Sequence, residues 1–327
     1  MSSTLPATEP SPVRVPPPGP DAVYCTLYSR DPGFSDLAQA ELAALAGGHG
    51  AESGVWLTDR PVAWAQTGYG KDGGRQLAFA TTLEDLEAQL LALELVAPRI
   101  GITVRRVPRR ASGTQAAKKC VADCIDGDVD FEDPQLRLIL VVSALGFRVL
   151  LRTEPGDPGW LASSHKPHNY LVALPVRIAK AMLNLTAQAG DVVFDPFCGS
   201  GTIPLLAAWA NHEAYGSDIS WKCVTRAREN IAHFGKTAPL TRADAKDAEQ
   251  AADCIISNLP YNLYCSIGDE TLQAVLANLR GLASRVTLVS SERLDEALEA
   301  NGYELLQRIC VESDRFERTI YVTRVKP

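Results

Sequence analysis

Short apolar runs separated by helical stretches fill the C-terminal half of the chain and restrict its fold more than any other feature. The runs cover residues 191–195, 212–218, 239–244, 252–258 and 284–290. Stretches with helical spacing, such as TIPLLAAWA, WKCVTRARENIAHF and TLQAVLANLRGL, lie between most of them. Buried strands that alternate with helices are typical of a parallel, doubly wound sheet. The last two runs, YELLQRICVE and RTIYVTRV, have no helix between them, so we expect an antiparallel hairpin.

The N-terminal half also contains strands and helices, but it lacks long parallel crossovers. The expected strands cover residues 23–29, 61–69, 75–82, 101–110, 136–145 and 147–153. Three helices are expected in this half. The first begins at Ser35, the second begins at Leu83 after a Thr82–Asp85 capping box and ends before Pro98, and the third covers residues 113–126. This pattern predicts two small α+β units, each with a helix or two on one sheet face.

Turn formers and prolines divide the chain into four parts. Seven prolines in the first 20 residues predict a disordered tail over 1–21. Turn-forming residues at 154–160 separate the two halves. We therefore expect domains at 22–100, 101–155 and 160–327.

The charge balance limits the classes of partner. The chain has 32 Lys and Arg against 39 Asp and Glu, a formal net charge of -7. A strongly basic nucleic-acid-binding protein is excluded, so any polyanion must be held by a local patch. One acid-free segment, 103–119, supplies six candidates for phosphate contacts: Arg105, Arg106, Arg109, Arg110, Lys118 and Lys119. The alternative is a solvated charged face, and the acids that follow this segment favour that alternative.

The cysteines and the hydropathy pattern indicate an intracellular protein. The eight cysteines form no CxxC pair, and Cys120 and Cys124 have no histidine nearby to complete a zinc site. We expect reduced thiols, no metal and a cytoplasmic location. No run of about 18 apolar residues or signal-peptide stretch occurs, so no membrane segment is expected.

The most informative stretch is Asp-Pro-Phe-Cys-Gly-Ser-Gly-Thr at 195–202, where a strand enters a glycine turn and then a helix. In an open α/β sheet, ligands bind beyond the carboxyl ends of the strands, and such a turn lets the backbone approach them. Pro204 stands where a dinucleotide fingerprint needs a small residue, and no lysine follows Gly201 as in a phosphate-binding loop. The alternative is a tight strand–helix turn without a ligand.

Two further acids end the next two strands. Asp218 is placed to accept hydrogen bonds from ribose hydroxyls, and Asp244 from an adenine amino group. Each could instead cap the helix that follows. With Asp195, they fit an adenosine ligand that carries no phosphate.

The fourth strand ends in Ser-Asn-Leu-Pro-Tyr at 257–261. Because Pro260 cannot continue a central strand, the chain must turn out at the same sheet edge. The Asn258 side-chain carbonyl and a freed backbone carbonyl can accept hydrogens from one planar exocyclic amine, and Tyr261 can stack on its base. Such an arrangement holds an sp2 nitrogen in line with an electrophilic methyl group. The alternative is a Pro-terminated turn with a core tyrosine.

Together, DPFCGSGT, the two acids and NLPY resemble the class I S-adenosylmethionine-dependent methyltransferases that act on exocyclic amines. More narrowly, residues 164–325 resemble the methyltransferase domain of THUMP-containing RNA guanine-N2 methyltransferases, including the lead-in HKPHNY and LPVRIAKAMLNLT. The first half is similar to their ferredoxin-like and THUMP domains, most clearly in ITVRRVPRR, KKCVADCI and VDFEDPQLRLILVV. The resemblance implies an α/β fold. Its Rossmann-like doubly wound sheet has an antiparallel last strand and follows a ferredoxin-like domain at 22–100 and a THUMP domain at 101–155.

The resemblance also implies S-adenosylmethionine as cofactor and assigns its binding residues. These are Asp195, Phe197, Cys198, Gly199, Gly201, Thr202, Asp218, Ile219, Asp244, Ala245 and Asn258. It assigns the target guanine to Asn258, Pro260 and Tyr261. His165 and His168 could act as bases, but the guanine amine need lose its proton only after the attack, so we keep them as binding candidates.

The expected function is a tRNA methyltransferase that forms N2-methylguanosine by direct in-line transfer. Asn258 and Leu259 resemble the branch that acts at position 6 of tRNA, since the position-10 branch carries a DPPYG pattern; Asn262 in place of glycine leaves the substrate open. The alternatives are rRNA guanine-N2, nucleic-acid adenine-N6 or protein-glutamine methylation, or an inactive RNA-binding protein. The expected partner is tRNA or another structured RNA, and a monomer is favoured.

Overall fold

A computed structural model describes residues 13–107, 112–170, 173–260, 268–313 and 316–327, with the backbone alone for Phe316. As far as these residues are described, the chain forms two compact units. The first comprises Met1–Tyr28, Ala46–Trp64 and Lys71–Pro155, and the second comprises Ser29–Leu45, Ala65–Gly70 and Gly156–Pro327.

In chain order, the strands are β1 (Tyr24–Tyr28), β2 (His49–Glu52), β3 (Val55–Thr58), β4 (Gly70–Ala80), β5 (Val96–Val107), β6 (Asp126–Val129), β7 (Leu136–Ser143), β8 (Gly146–Arg152), β9 (Val192–Asp195), β10 (Glu213–Asp218), β11 (Leu240–Arg242), β12 (Cys254–Asn258), β13 (Arg285–Ser290), β14 (Tyr303–Ser313) and β15 (Phe316–Val325). The helices are α1 (Ser35–Ala46), α2 (Leu83–Leu91), α3 (Thr114–Asp123), α4 (Val176–Thr186), α5 (Thr202–Trp209), α6 (Trp221–His233), α7 (Asp269–Leu282) and α8 (Asp295–Ala300). Single turns of 3-10 helix cover Trp64–Gln66, Gly159–His165 and Ala245–Asp247.

The first unit contains one eight-stranded sheet in the order β2-β3-β1-β4-β8-β7-β5-β6. The leucines that repeat along α2, Leu86 and Leu90, are fully buried against Leu138 and Leu140 of β7. The sequence pattern predicted two small units, whereas the strands assigned to both share this sheet through the antiparallel pairing of β4 with β8. The pairing of β4 with β8 gives hydrogen-bond partners to backbone N–H and C=O groups that would be unpaired at the edges of two separate sheets.

Three local predictions in the N-terminal half are corrected. Residues 61–69 form no strand, and Trp64–Gln66 within them form a 3-10 turn; the short strands β2 and β3 were not expected. Helix α2 ends at Leu91, and Pro98 lies inside β5. Proline is accommodated there because the pairing of β5 with β6 shifts register between Val96 and Arg99. The predicted cap is confirmed: Thr82 Oγ1 accepts a hydrogen bond from the Asp85 backbone N–H at 3.2 Å.

The second unit contains a seven-stranded sheet in the order β11-β10-β9-β12-β13-β15-β14. Strands β9 to β13 pair in parallel, and β15 pairs antiparallel with both β13 and β14. The predicted doubly wound sheet with an antiparallel last strand is therefore confirmed. The strand order reverses between β9 and β12, which is the topological switch point where open α/β sheets bind ligands.

Helix α1 packs within this second unit, although the sequence placed it in the N-terminal domain. The compact units thus group the chain differently from the sequence-based boundaries at 22–100, 101–155 and 160–327, which stay predictions.

The described cysteines are free thiols. None of the helices in the described ranges combines the length and the apolar character that a membrane span requires.

Candidate cofactor and substrate site

A cavity of about 680 Å³ opens at the carboxyl ends of β9, β10 and β12. It is lined by most residues that the sequence assigned to the cofactor and the target base: Asp195, Phe197, Cys198, Gly199, Thr202, Asp218, Ile219, Asp244, Ala245, Asn258 and Pro260. Gly201 does not line the cavity, and Tyr261 lies outside the described residues. The switch point of the sheet therefore brings together residues that are separated by more than 60 positions in the sequence.

The glycine turn after β9 needs glycine at two positions for geometric reasons. Gly199 and Gly201 have φ angles of +50° and +77°, which L side chains rarely adopt. A Cβ atom at Gly201 would also lie 3.0 Å from the Cβ of Ala227 on α6. Gly201 thus allows α5 to start close to α6, which is a structural role beside the cavity.

Two backbone N–H groups of the turn donate hydrogen bonds to the neighbouring strand β10. The Gly199 N–H donates to Asp218 Oδ2 at 3.0 Å, and the Cys198 N–H donates to the Ser217 carbonyl at 2.8 Å. These bonds hold the Asp218 carboxylate at the rim where the sequence placed a ribose acceptor.

Asp195 is buried beneath this turn. Its Oδ1 accepts hydrogen bonds from Ser257 Oγ at 2.6 Å and from the Phe197 N–H at 3.1 Å. Burial raises the pKa of Asp195 to about 7, the two hydrogen bonds oppose this rise, and the charge of Asp218 adds to it. The first strand end of the cavity thus carries a carboxyl group that titrates near neutral pH.

Asp218 and Asp244 were also expected, as an alternative to ligand binding, to cap the helices that follow them, and each does accept a hydrogen bond from the turn after its strand. Asp218 Oδ1 accepts a hydrogen bond from the Ser220 N–H at 2.8 Å, although Ser220 is the residue that caps α6. Asp244 caps a 3-10 turn through the Lys246 N–H at 3.2 Å and forms an ion pair with Lys246 Nζ at 3.6 Å. Each carboxylate has about four lone-pair sites, so these bonds leave acceptor capacity at the cavity.

Asn258 differs from the acids in the hydrogen bonding of its side-chain oxygen. Asn258 Oδ1 is buried and accepts no hydrogen bond from the described residues. The strand ladder continues one residue further, with the Leu259 N–H donating to the Val289 carbonyl at 3.1 Å, before Pro260 ends it. A buried acceptor without a donor costs about 1–3 kcal/mol, so a donor on a ligand would offset that cost.

The cavity fits S-adenosylmethionine by its chemistry. This cofactor carries a cationic sulfonium and an ammonium group but no phosphate. The cavity supplies the carboxyl groups of Asp195, Asp218 and Asp244, and Lys246 beside Asp244 is already paired. The apolar side chains of Phe197, Ile219 and others supply surface for the adenine and the methionine chain.

The lead-in segment contributes residues that the sequence did not assign to the cavity. Tyr170, Ala173 and Leu174 line it, as do Cys223, Thr271 and Val275 from α6 and α7. Tyr170 belongs to the HKPHNY motif, so the resemblance could have identified it. The residues on α6 and α7 carry no sequence signal because only packing brings them to the cavity.

Asn230 on α6 connects this lead-in segment to the glycine turn. Its Nδ2 donates to the carbonyl oxygens of His168 at 2.8 Å and Ser200 at 2.9 Å, and its Oδ1 accepts from the His168 N–H at 2.8 Å. Asn230 is fully buried. The His168 ring lies 2.5 Å from Glu229 Oε2, and neither His168 nor His165 lines the cavity.

Three of the six predicted phosphate contacts in the first unit, Arg105, Lys118 and Lys119, have other partners. Arg105 Nη2 lies 2.7 Å from the fully buried carboxylate of Asp72, which Arg152 also contacts at 2.9 Å. Lys119 pairs with Asp123 one turn along α3, and Lys118 Nζ lies 4.8 Å from the ring centre of Phe131. Arg106 follows Arg105 on β5 and therefore faces the opposite side of the sheet. Arg109 and Arg110 lie outside the described residues.

The sheet order and the site define a class I methyltransferase domain in the C-terminal half, with S-adenosylmethionine as its cofactor. Residues 164–271 match the UPF0020 family, described as an RMKL-like methyltransferase domain. The predicted resemblance is therefore confirmed for this half. The THUMP assignment of the first half stays a prediction.

Curated relatives share the same part of the chain. The chain is 36% identical over 114 residues to a tRNA (guanine(10)-N2)-dimethyltransferase of Methanothermobacter thermautotrophicus, covering 33% of this chain and 34% of that protein. It is 32% identical over 126 residues to the U6 snRNA (guanine-N(2))-methyltransferase THUMPD2 of Bos taurus, covering 35% of this chain and 25% of that protein. The chain thus matches about a third or less of the length of these two relatives.

A solved structure resembles the chain over nearly its whole length. The structure of TrmN from Thermus thermophilus has a TM-score of 0.53 and 23% sequence identity, and the match covers 93% of this chain and 99% of that one. This likeness concerns the fold.

Proposed function

We propose that this protein transfers a methyl group from S-adenosylmethionine to the exocyclic N2 of a guanine in RNA, with tRNA as the substrate. The observation that carries the proposal is the buried Asn258 Oδ1, which accepts no hydrogen bond from the described residues and lies in the cavity beside the glycine turn. The guanine and RNA parts of the proposal are supported by the relatives, whose names specify guanine-N2 methylation of tRNA or U6 snRNA.

The chain's own residues would act mainly by positioning. Asn258 Oδ1 accepts one hydrogen of the guanine amine, and the backbone freed by Pro260 accepts the other. These two bonds orient the nitrogen lone pair toward the methyl carbon, which the bound cofactor supplies as an electrophile. Bound S-adenosylmethionine would supply the methyl group, whose carbon would pass from sulfur to this nitrogen, and the amine would lose its extra proton to solvent after the attack. No covalent enzyme intermediate is required.

Methylation at position 6 is the finer proposal. It rests on Asn258 followed by Leu259, which resembles the position-6 branch, whereas the archaeal relatives are named for position 10. A cytoplasmic location remains part of the proposal because cytoplasmic tRNA is the proposed substrate.

The test is transfer of labelled methyl from S-adenosylmethionine to unmodified tRNA, followed by nucleoside analysis. We expect label in N2-methylguanosine. Two matched transcripts, one with adenosine at position 6 and one with adenosine at position 10, locate the target, and we expect only the first to lose label. Label in N6-methyladenosine or in protein would overturn the guanine assignment. Label lost only from the position-10 transcript would overturn the position.

A further inference from the structure

An exposed aromatic and basic surface lies beside the cofactor cavity on the second unit. It consists of Trp221, Lys222 and Arg228 on α6 and Arg242 on β11, and we refer to it as the α6/β11 surface. Trp221 is 55% exposed, and the neighbouring Ile219, which lines the cavity, is 63% exposed. These two apolar side chains are exposed next to each other in the sequence region that borders the cavity, where they can contact a bound partner.

Contacts within the chain hold this surface together. The Arg228 guanidinium lies 5.3 Å from the Trp221 ring centre, and its Nη2 donates to the Leu240 carbonyl at 2.5 Å. Arg242 Nε donates to the Ile219 carbonyl at 3.0 Å. Both arginines are therefore oriented by neutral partners, which leave their charge uncompensated.

The cations of this surface differ from the basic residues that the sequence singled out. In the described part of the chain, Lys222, Arg228 and Arg242 form no ion pair with a carboxylate. The acids nearby have other partners, since Glu229 contacts His168 and Asp244 contacts Lys246. By contrast, Arg105 and Lys119 of the predicted segment are paired with Asp72 and Asp123.

We propose that the α6/β11 surface binds a single-stranded or looped segment of the substrate RNA, with a base stacked on Trp221 and phosphates held by Lys222 and Arg242. The inference rests on the proposed function, because it takes RNA as the substrate. Unpaired bases stack on aromatic side chains while nearby Lys and Arg contact the backbone, which is the combination that this surface presents. Its position beside Ile219 places these contacts at the rim of the same cavity that contains Asn258.

The test measures the affinity of the full chain for unmodified tRNA by fluorescence anisotropy, with S-adenosylhomocysteine present. We expect Trp221→Ala to weaken RNA binding by about fivefold or more, the usual range for loss of one stacked base. We expect Lys222→Glu to weaken it and to reduce the slope of log affinity against log salt by about 1. The control is Arg308→Glu, which makes the same change of charge on β14 at an exposed arginine paired with Asp295. It should leave RNA affinity unchanged.

Calorimetric titration with S-adenosylhomocysteine checks that each variant keeps an intact cofactor cavity. Variants that bind cofactor normally and bind RNA as tightly as the wild type would overturn this inference and leave the proposed function standing. A wild type that labels no RNA, but whose RNA binding falls in the variants, would overturn the proposed function and leave the surface standing.

Discussion

The polar side chains at the ends of the neighbouring strands β9 and β12 differ in whether their oxygen atoms accept hydrogen bonds. Asp195 at the end of β9 accepts two hydrogen bonds and is buried, whereas Asn258 Oδ1 at the end of β12 accepts none from the described residues. Ser257, which precedes Asn258, donates to Asp195. The two strand ends are thus linked, and we assign the cofactor to the first and the target amine to the second.

Replacement of Asn258 by alanine separates these two assignments. We expect Asn258→Ala to lower methyl transfer by about 100-fold or more, because the amine loses the acceptor that aligns it. Affinity for S-adenosylhomocysteine should stay unchanged and the melting temperature should not fall, because Asn258 Oδ1 accepts no hydrogen bond from the described residues. Single-turnover methylation and calorimetry measure the two effects. A variant with a near-normal rate would contradict the catalytic role of Asn258.

The carboxyl group of Asp195 makes cofactor binding depend on pH. Its pKa is raised to about 7, so it is largely protonated at pH 6 and ionised at pH 8. A ligand that carries an ammonium group favours the ionised form. We therefore expect the affinity for S-adenosylhomocysteine to rise between pH 6 and pH 8, as measured by calorimetry. Asp195→Asn should bind more weakly and show a flatter profile, and an equally steep profile in this variant would assign the titration to another group.

Helix α1 is joined to α4 and to residues 65–70 by a buried carboxyl group. Glu41 Oε1 accepts hydrogen bonds from the Gly68 N–H at 2.8 Å and from Asn184 Nδ2 at 2.7 Å. Burial raises the pKa of Glu41 to about 7, against the effect of these bonds and of the nearby Lys180 charge. Three segments of the second unit thus meet at one ionisable group.

The raised pKa of Glu41 predicts how the stability of this unit changes with pH. The folded protein holds the proton up to about pH 7, whereas an unfolded glutamate loses it near pH 4.5. The stabilising effect is present below pH 4.5 and is lost as the pH rises toward 7, by at most about 1.4 kcal/mol per pH unit.

Glu41→Gln cannot ionise and retains an acceptor oxygen, so its free energy of unfolding should fall less than that of the wild type between pH 5 and pH 7. Urea denaturation across this range measures the difference. Glu304→Gln, at an exposed glutamate paired with Arg324, is the control and should follow the wild type apart from a small shift. Parallel curves for Glu41→Gln and the wild type would disprove the assignment.

Helix α6 positions the lead-in segment through Asn230. Asn230→Ala removes three hydrogen bonds and leaves two backbone carbonyls and one N–H without that partner. We expect a loss of about 1–3 kcal/mol of stability and weaker binding of S-adenosylhomocysteine, because Tyr170 and the glycine turn lose their common support. Denaturant unfolding and calorimetry test this. A loss of stability with unchanged cofactor affinity would restrict Asn230 to a structural role.

At the scale of the whole molecule, the chain enters the second unit, leaves it and returns. Residues 29–45 and 65–70 belong to this unit, although most of it lies after residue 155. Trp160 Nε1 donates to the Ala65 carbonyl at 2.8 Å, and Asn184 Nδ2 donates to the Gln66 carbonyl at 3.0 Å. The methyltransferase sheet therefore depends on segments from the N-terminal half.

A fragment that covers residues 156–327 should accordingly be less stable than the same unit in the full chain. It leaves Trp160 Nε1 and Asn184 without their partners and removes the buried Leu37 and Leu42 of α1. Each unsatisfied buried group costs about 1–3 kcal/mol. Thermal melting of the fragment, with and without a peptide of residues 29–45, tests this. A fragment with the same melting temperature as the full chain, unchanged by the peptide, would show that these segments do not stabilise the second unit.

The sequence by itself determined the elements whose signals are local. The apolar runs and helical spacings of 191–325 predicted the parallel sheet and its antiparallel hairpin, and the glycine turn with Asp218 and Asn258 predicted which edge binds a ligand. Such signals can be predicted from sequence because periodicity and turn chemistry involve residues within a few positions of each other.

Tertiary structure alone decided the partners of groups that lie far apart in the sequence. It joined the strands of two expected domains into one sheet, placed α1 in the second unit, and paired Arg105 with Asp72, 33 positions away. Within the described ranges, it also left Asn258 Oδ1 without a donor and the cations of the α6/β11 surface without a paired carboxylate. These contacts depend on which residues from distant parts of the sequence pack together and satisfy each other's charges and hydrogen bonds. Local sequence patterns do not specify such tertiary contacts.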